Sequence, residues 1–208
     1  MSLADSECLS VEAFWAFGVH NSFRCEVVEV SGEGGNVMQQ HSAAAIANEF
    51  LNLAWSDQDS SLPIMDQMKL QKLVFYAHAW WLAHTDKPLI EEEFEAWPWG
   101  PVVRSVWTET KDFGRLPINR RIRSLQLDVN NPVNAVFVYP SVEDPAVKDF
   151  LKEVWEIHKR FSGIQLSNST HAPGEPWTLV ANSVNGNLDS KPSIPNELIQ
   201  SVFKNKIH

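Results

Sequence analysis

The chain has 208 residues, 44% hydrophobic and 21% charged, the make-up of one globular domain with a small addition; this excludes a disordered tail, a collagen-like repeat and a coiled-coil rod. Its net charge of −9 disfavours nucleic acid as a general partner and suits a soluble chain or a protein partner. No apolar run nears the roughly 20 residues that cross a bilayer, so no membrane partner is expected.

Residues 1–37 stand apart, with six acids against one base and both cysteines, Cys8 and Cys25. There is no CxxC and no histidine at zinc-ligand spacing, so no metal or other cofactor is expected. Asp5, Glu7 and Glu12 occupy the place of a basic leader region, which points to a cytoplasmic protein. Arg24–Val30 reads as a short strand and Ser31–Asn36 as a glycine-rich break before Met38. The segment is either a native N-terminal extension or the product of a start site assigned upstream of Met38. Residues 38–208 form the main domain.

Ser42 reads as a helix cap, followed by Ala43, Ile46, Ala47, Phe50 and Ala54 at helical spacing up to the polar stretch Ser56–Ser61. Asp66 caps a stronger helix whose stripe is Leu70, Leu73, Val74, Ala77 and Trp81, with Lys69 and Lys72 off it; Lys87-Pro88 closes it. Phe94 and Ala96 alternate with Glu93 and Glu95 in a short half-exposed strand. Pro101 suits the first position of a helix carrying Val102, Val103, Val106, Trp107 and Thr110, and Gly114 suits its end. Leu125–Val129 and Ala135–Tyr139 suggest an antiparallel pair turning at Asn130-Asn131-Pro132. Asp144-Pro145 opens a helix with Val147, Phe150, Leu151, Val154, His158 and Phe161 on one face, ending at Gly163. Short helices are expected over Ile164–His171 and Trp177–Asn182, and a last one over Asn196–Lys204. The expected fold is mainly α, a compact helical domain with a small antiparallel β element.

No catalytic constellation emerges. His78 and His84 are about 600° apart around their helix and do not share a face. Glu91, Glu93 and Glu95 alternate to one side, the pattern of a solvated face. There is no P-loop, no dinucleotide fingerprint, no nucleophile elbow and no kinase signature. An enzyme is therefore not expected; an unrecognised one would draw on His171 and the Glu91–Glu95 acids. Arg104, Lys111, Arg115, Arg120, Arg121 and Arg123 oppose only Glu109 and Asp112. This stretch is a solvated basic face, a contact for an acidic protein surface, or, as the alternative function, the contact of a DNA-binding regulator. Eight of the nine tryptophans fall between Trp55 and Trp177. Tryptophans fill cores and anchor interfaces. Trp81, Trp107 and Trp155 suit a core; Trp97 and Trp99, flanking Pro98, suit loop packing or an exposed interface equally.

Three pieces carry a resemblance: Met68–Ala77 (MKLQKLVFYA), Phe94-Glu95-Ala96-Trp97 followed by Gly100-Pro101-Val102, and Thr170-His171 with Pro176-Trp177. In this order they resemble the Panacea domain family of SocA-like antitoxins, also labelled phage-associated GepA-like, over about residues 42–182. Val106-Trp107 departs mildly from its pattern. The resemblance implies a non-enzymatic member of a toxin-antitoxin system that binds and neutralises a cognate toxin protein. It also implies a proteolytic adaptor that hands the toxin to a ClpXP-type protease. Lys72, Tyr76, Trp97, Trp99, Gly100, Pro101 and Val102 fall on matching positions and are the candidate partner-binding residues. Lys72 and Tyr76, one helical turn apart, are expected to form one edge of the binding face, with Lys72→Glu weakening binding without unfolding.

Overall fold

Asp66 starts the longest helix, α2 (Gln67–Thr85), by accepting the Lys69 N–H, and α1 (Ala43–Ser56) is started in the same way by Ser42. The computed structural model describes residues 40–127 and 135–207. The readings for residues 1–37 and for the Asn130–Pro132 turn lie outside them. Strands β1 (Phe94–Trp97) and β2 (Gly100–Val102) follow, then α3 (Arg104–Thr110), prolonged by a 3-10 turn, and the pair β3 (Ser124–Leu127) and β4 (Ala135–Val138). The chain continues through α4 (Pro145–His158), α5 (Gly163–Thr170), α6 (Pro176–Ser183), β5 (Ser193–Ile194) and α7 (Asn196–Lys204). The fold is mainly α, with one three-stranded antiparallel sheet in the order β2-β1-β5 and a separate β3–β4 pair.

Helix α2 is the axis of the domain. Helices α1, α4, α5 and α7 pack around it, and β2 lies against it. Every residue from Lys69 to Ala83 is buried. This corrects the expectation of a stripe with Lys69 and Lys72 outside it: both lysines are inside. It also explains the adjacent tryptophans. Trp80 meets Phe203 of α7 edge-on at 4.9 Å, and Trp81 meets Phe150 of α4 at 5.1 Å. An enclosed helix has core on every side, so neighbouring residues 100° apart can both be buried.

Two boundaries differ from the sequence reading. Pro101 belongs to β2, and α3 begins after Val103. Residues 100–102 are extended because they pair with 95–97, and β2 is an edge strand, where a residue lacking an N–H is tolerated. Gly163 opens α5 rather than ending α4. Ser162 and Gln165 form a reciprocal capping box ahead of it. A Cβ on Gly163 would stand 2.7 Å from the Lys69 backbone nitrogen, so glycine is what lets α5 approach the first turn of α2.

His78 is buried in α2. The Ile90 N–H can only donate, so His78 Nδ1 accepts it at 3.4 Å, and Nε2–H donates to Asn196 Oδ1 at 2.9 Å. His158, stacked on Tyr76 at 4.8 Å, donates from Nδ1 to the Val154 carbonyl at 2.7 Å. Burial lowers both rings to about 4 from an ordinary 6.5. Below pH 6.5 the unfolded chain takes up these protons and the folded one does not. The contribution is therefore present above pH 6.5 and lost as pH falls toward 4. Between pH 7 and 5 each ring is expected to remove about 2 kcal/mol of stability. Urea midpoints at the two pH values measure this; equal midpoints would refute it.

Candidate functional site

The three motif pieces meet at the β1–β2 hairpin. Trp97 pairs with Gly100, leaving Pro98-Trp99 as a two-residue turn, and Gly100 has φ 98°. From below, α2 grips strand β2. Gln71 accepts the Val103 N–H at 2.9 Å and donates to the Val103 carbonyl at 3.2 Å. Lys72 Nζ donates to the Pro101 carbonyl at 2.9 Å. Each side chain buries an aliphatic stem and satisfies its polar end on backbone. One turn earlier, Lys69 Nζ donates to the Lys159 carbonyl at 2.6 Å, beyond the end of α4, and to Pro63 at 3.3 Å. Burial lowers the Lys69 ammonium to about 8 and Lys72 to about 7.

From the side, α5 and α6 grip the turn. Ser167 Oγ donates to the Trp99 carbonyl at 2.9 Å, and Trp177 Nε1 donates to the Trp97 carbonyl at 2.8 Å. The His171 ring lies 3.8 Å from the Trp177 ring, with Nε2 at 3.3 Å from the Pro98 carbonyl. Nδ1 contacts the Ser167 carbonyl at 2.6 Å, so both ring nitrogens face carbonyl oxygens. The carbonyls of residues 97, 98, 99, 101 and 103 thus all meet side chains from the helices.

Trp97 is half-buried. Its indole N–H donates to Glu95 at 2.7 Å, and Glu95 takes both guanidinium contacts of Arg104 at 2.8 and 2.9 Å. The Trp97 ring lies 5.0 Å from Trp107 and 4.0 Å from the Lys191 ammonium. Trp99 differs: its side chain is 71% exposed on a turn whose backbone is fixed. This geometry presents an indole to solvent.

Of the sequence candidates, Trp99 is exposed, Trp97 half-buried, and Gly100, Pro101 and Val102 buried. Lys72 and Tyr76 are 1% and 4% exposed, which corrects their placement on the rim of a surface. Tyr76 Oη points to the Leu166 carbonyl at 3.5 Å; both residues hold the site from inside. Gln71, Ser167 and Thr170 carry weight that spacing did not reveal, although Gln71 lies within the KLQKL run and Thr170 within the Thr170-His171 piece. Glu95 is a clamp rather than part of a solvated face. The basic stretch is largely engaged within the molecule. Arg104 is on Glu95, Arg120 and Arg123 share Glu109 at 3.5 and 3.1 Å, and Arg121 reaches Asn52 at 2.9 Å. Among the described residues no group of three or more histidines, cysteines and acids stands ready for a metal ion, and no helix is long and apolar enough to cross a membrane.

The family model for "Antitoxin SocA-like, Panacea domain" matches residues 70–178. The chain is 30% identical over 168 residues to Antitoxin SocA of Caulobacter vibrioides (strain NA1000 / CB15N), an alignment covering 80% of this chain and 84% of that protein. No solved structure matches it.

Proposed function

The chain belongs to the SocA-like antitoxin family with a Panacea domain, and from that premise we propose that it binds a cognate toxin protein and neutralises it through the Trp99 turn. It acts by binding, not as an enzyme, and works in the cytoplasm. The observation that carries the site is Trp99: a large apolar side chain, 71% exposed, on backbone held by three helices. A rigid aromatic loses little conformational freedom on docking, and interface energy concentrates in such residues. The finer mechanism follows the SocA resemblance: the captured toxin is passed to a ClpXP-type protease.

Co-expression with the product of the adjacent gene tests the reading. Growth arrest by that product, rescue by this chain and a stable complex are expected. Trp99→Ala should weaken the complex about 30-fold while leaving the melting temperature unchanged, because the indole leaves water only on binding. Wild-type affinity in that variant would remove Trp99 from the interface. Toxin half-life in cells with and without the protease separates delivery from blocking.

A further inference from the structure

Strands β3 and β4 form a sheet with no third strand among the described residues. Leu125 stands opposite Phe137, and alternation puts Tyr139 on the same face. These three are 56%, 57% and 58% exposed, and Val136 on the other face is 59% exposed. A two-stranded hairpin alone is marginal in water, and an apolar strand with open edges is a template for another strand.

The base of this hairpin is fixed. Asn48 of α1, 2% exposed, accepts the Ile122 N–H at 2.7 Å and donates to the Ile122 and Pro140 carbonyls, both at 2.9 Å. One buried amide therefore joins both legs to the core where they leave it. The approach to β3 carries Arg115, Arg120, Arg121 and Arg123, with no acid between residues 113 and 127. Arg120 and Arg123 share the carboxylate of Glu109, and among the described residues Arg121 meets the neutral Asn52 amide. Arg123 also lies over the Phe137 ring at 4.6 Å. The approach to β3 thus sets three arginines against Glu109, a local surplus of positive charge in a chain whose total is −9.

We propose that the β3–β4 hairpin is a second docking surface, taking an extended, acidic segment of the toxin as an added strand. This rests on the antitoxin reading above. The incoming strand pairs with an open edge, its apolar side chains cover Leu125 and Phe137, and its carboxylates face Arg121 and Arg123. A second copy of this chain would bring like charge against like. Phosphate contacts to the arginines would leave the aliphatic and aromatic face uncovered, whereas a protein strand covers both.

The test uses the full chain and the product of the adjacent gene as probe. Leu125→Thr/Phe137→Thr removes the apolar contact, keeps strand propensity and opens no core cavity. Arg121→Gln removes one of the three arginine charges. An unchanged melting curve certifies the fold of each variant. The double variant is expected to bind about tenfold more weakly. Amides of β3 or β4 should gain exchange protection in the wild-type complex, and Arg121→Gln should weaken binding most at low salt. Wild-type affinity in the double variant, without new protection, overturns the inference and leaves the antitoxin reading standing. A wild-type dimer dissolved by the double variant, or a duplex DNA complex lost with Arg121→Gln, also overturns it. Absence of any complex with the wild-type chain removes both readings.

Discussion

Gly100→Ala is expected to cost about 3–5 kcal/mol, enough to leave much of the chain unfolded at 37 °C. Two causes add. At φ 98° an L side chain is strained whatever the space around it. The added Cβ would also stand 2.6 Å from Thr170 Oγ1 and 2.8 Å from Lys72 Nζ, so α2 and α5 press on this position from two sides. Neither can withdraw freely: Lys72 is held by Pro101, and Thr170 donates to the Ser167 carbonyl at 2.7 Å. Gly114 also has positive φ but nothing near it, so Gly114→Ala should cost only its backbone strain. Chemical denaturation of the two variants side by side checks this. Equal losses would mean that crowding at Gly100 contributes nothing.

Lys72→Glu should unfold the domain, losing on the order of 3–5 kcal/mol, because a buried acid would face the Pro101 carbonyl without a donor. The sequence alone suggests a surface change that weakens binding without unfolding; full burial reverses that. Lys72→Met keeps the stem and removes the amine, and it should fold. Its diagnostic is pH. Burial lowers the Lys72 ammonium from 10.5 to about 7, so above pH 7 the folded amine is neutral while the unfolded one still binds a proton. Wild-type stability should therefore rise by about 2 kcal/mol relative to Lys72→Met between pH 7 and 9. Parallel stability curves for the two proteins would show that Lys72 is not desolvated.

Most helices are legible in the sequence, three of them from both a cap and a period and the last from its period alone. Ser42, Asp66 and Asp144 each accept a first-turn N–H, and Asn196–Lys204 forms the last helix as its pattern predicts. Two boundaries failed where a residue has two local meanings. Proline suits a helix start or an edge strand, and only pairing to β1 decides for Pro101. Glycine ends a helix or permits close approach, and only contact with α2 decides for Gly163. The site was half legible. Its motif pieces could be named, but a lysine at helical spacing reads as solvent-facing, and nothing local says that a helix will be enclosed. Lys69 and Lys72 are buried because carbonyls from distant segments, Lys159 and Pro101, come to meet them.

The closing of the fold by its last segment sets an order on its synthesis. Ile194 of β5 pairs with Phe94, and Phe203 of α7 is fully buried against Phe75 and Trp80 of the central helix. A nascent chain that has not yet released residues 193–204 from the ribosome leaves that aromatic face wet and the edge of β1 open. A chain ending before residue 193 therefore lacks one wall of its own core, and its central helix has an apolar side with nothing to cover it.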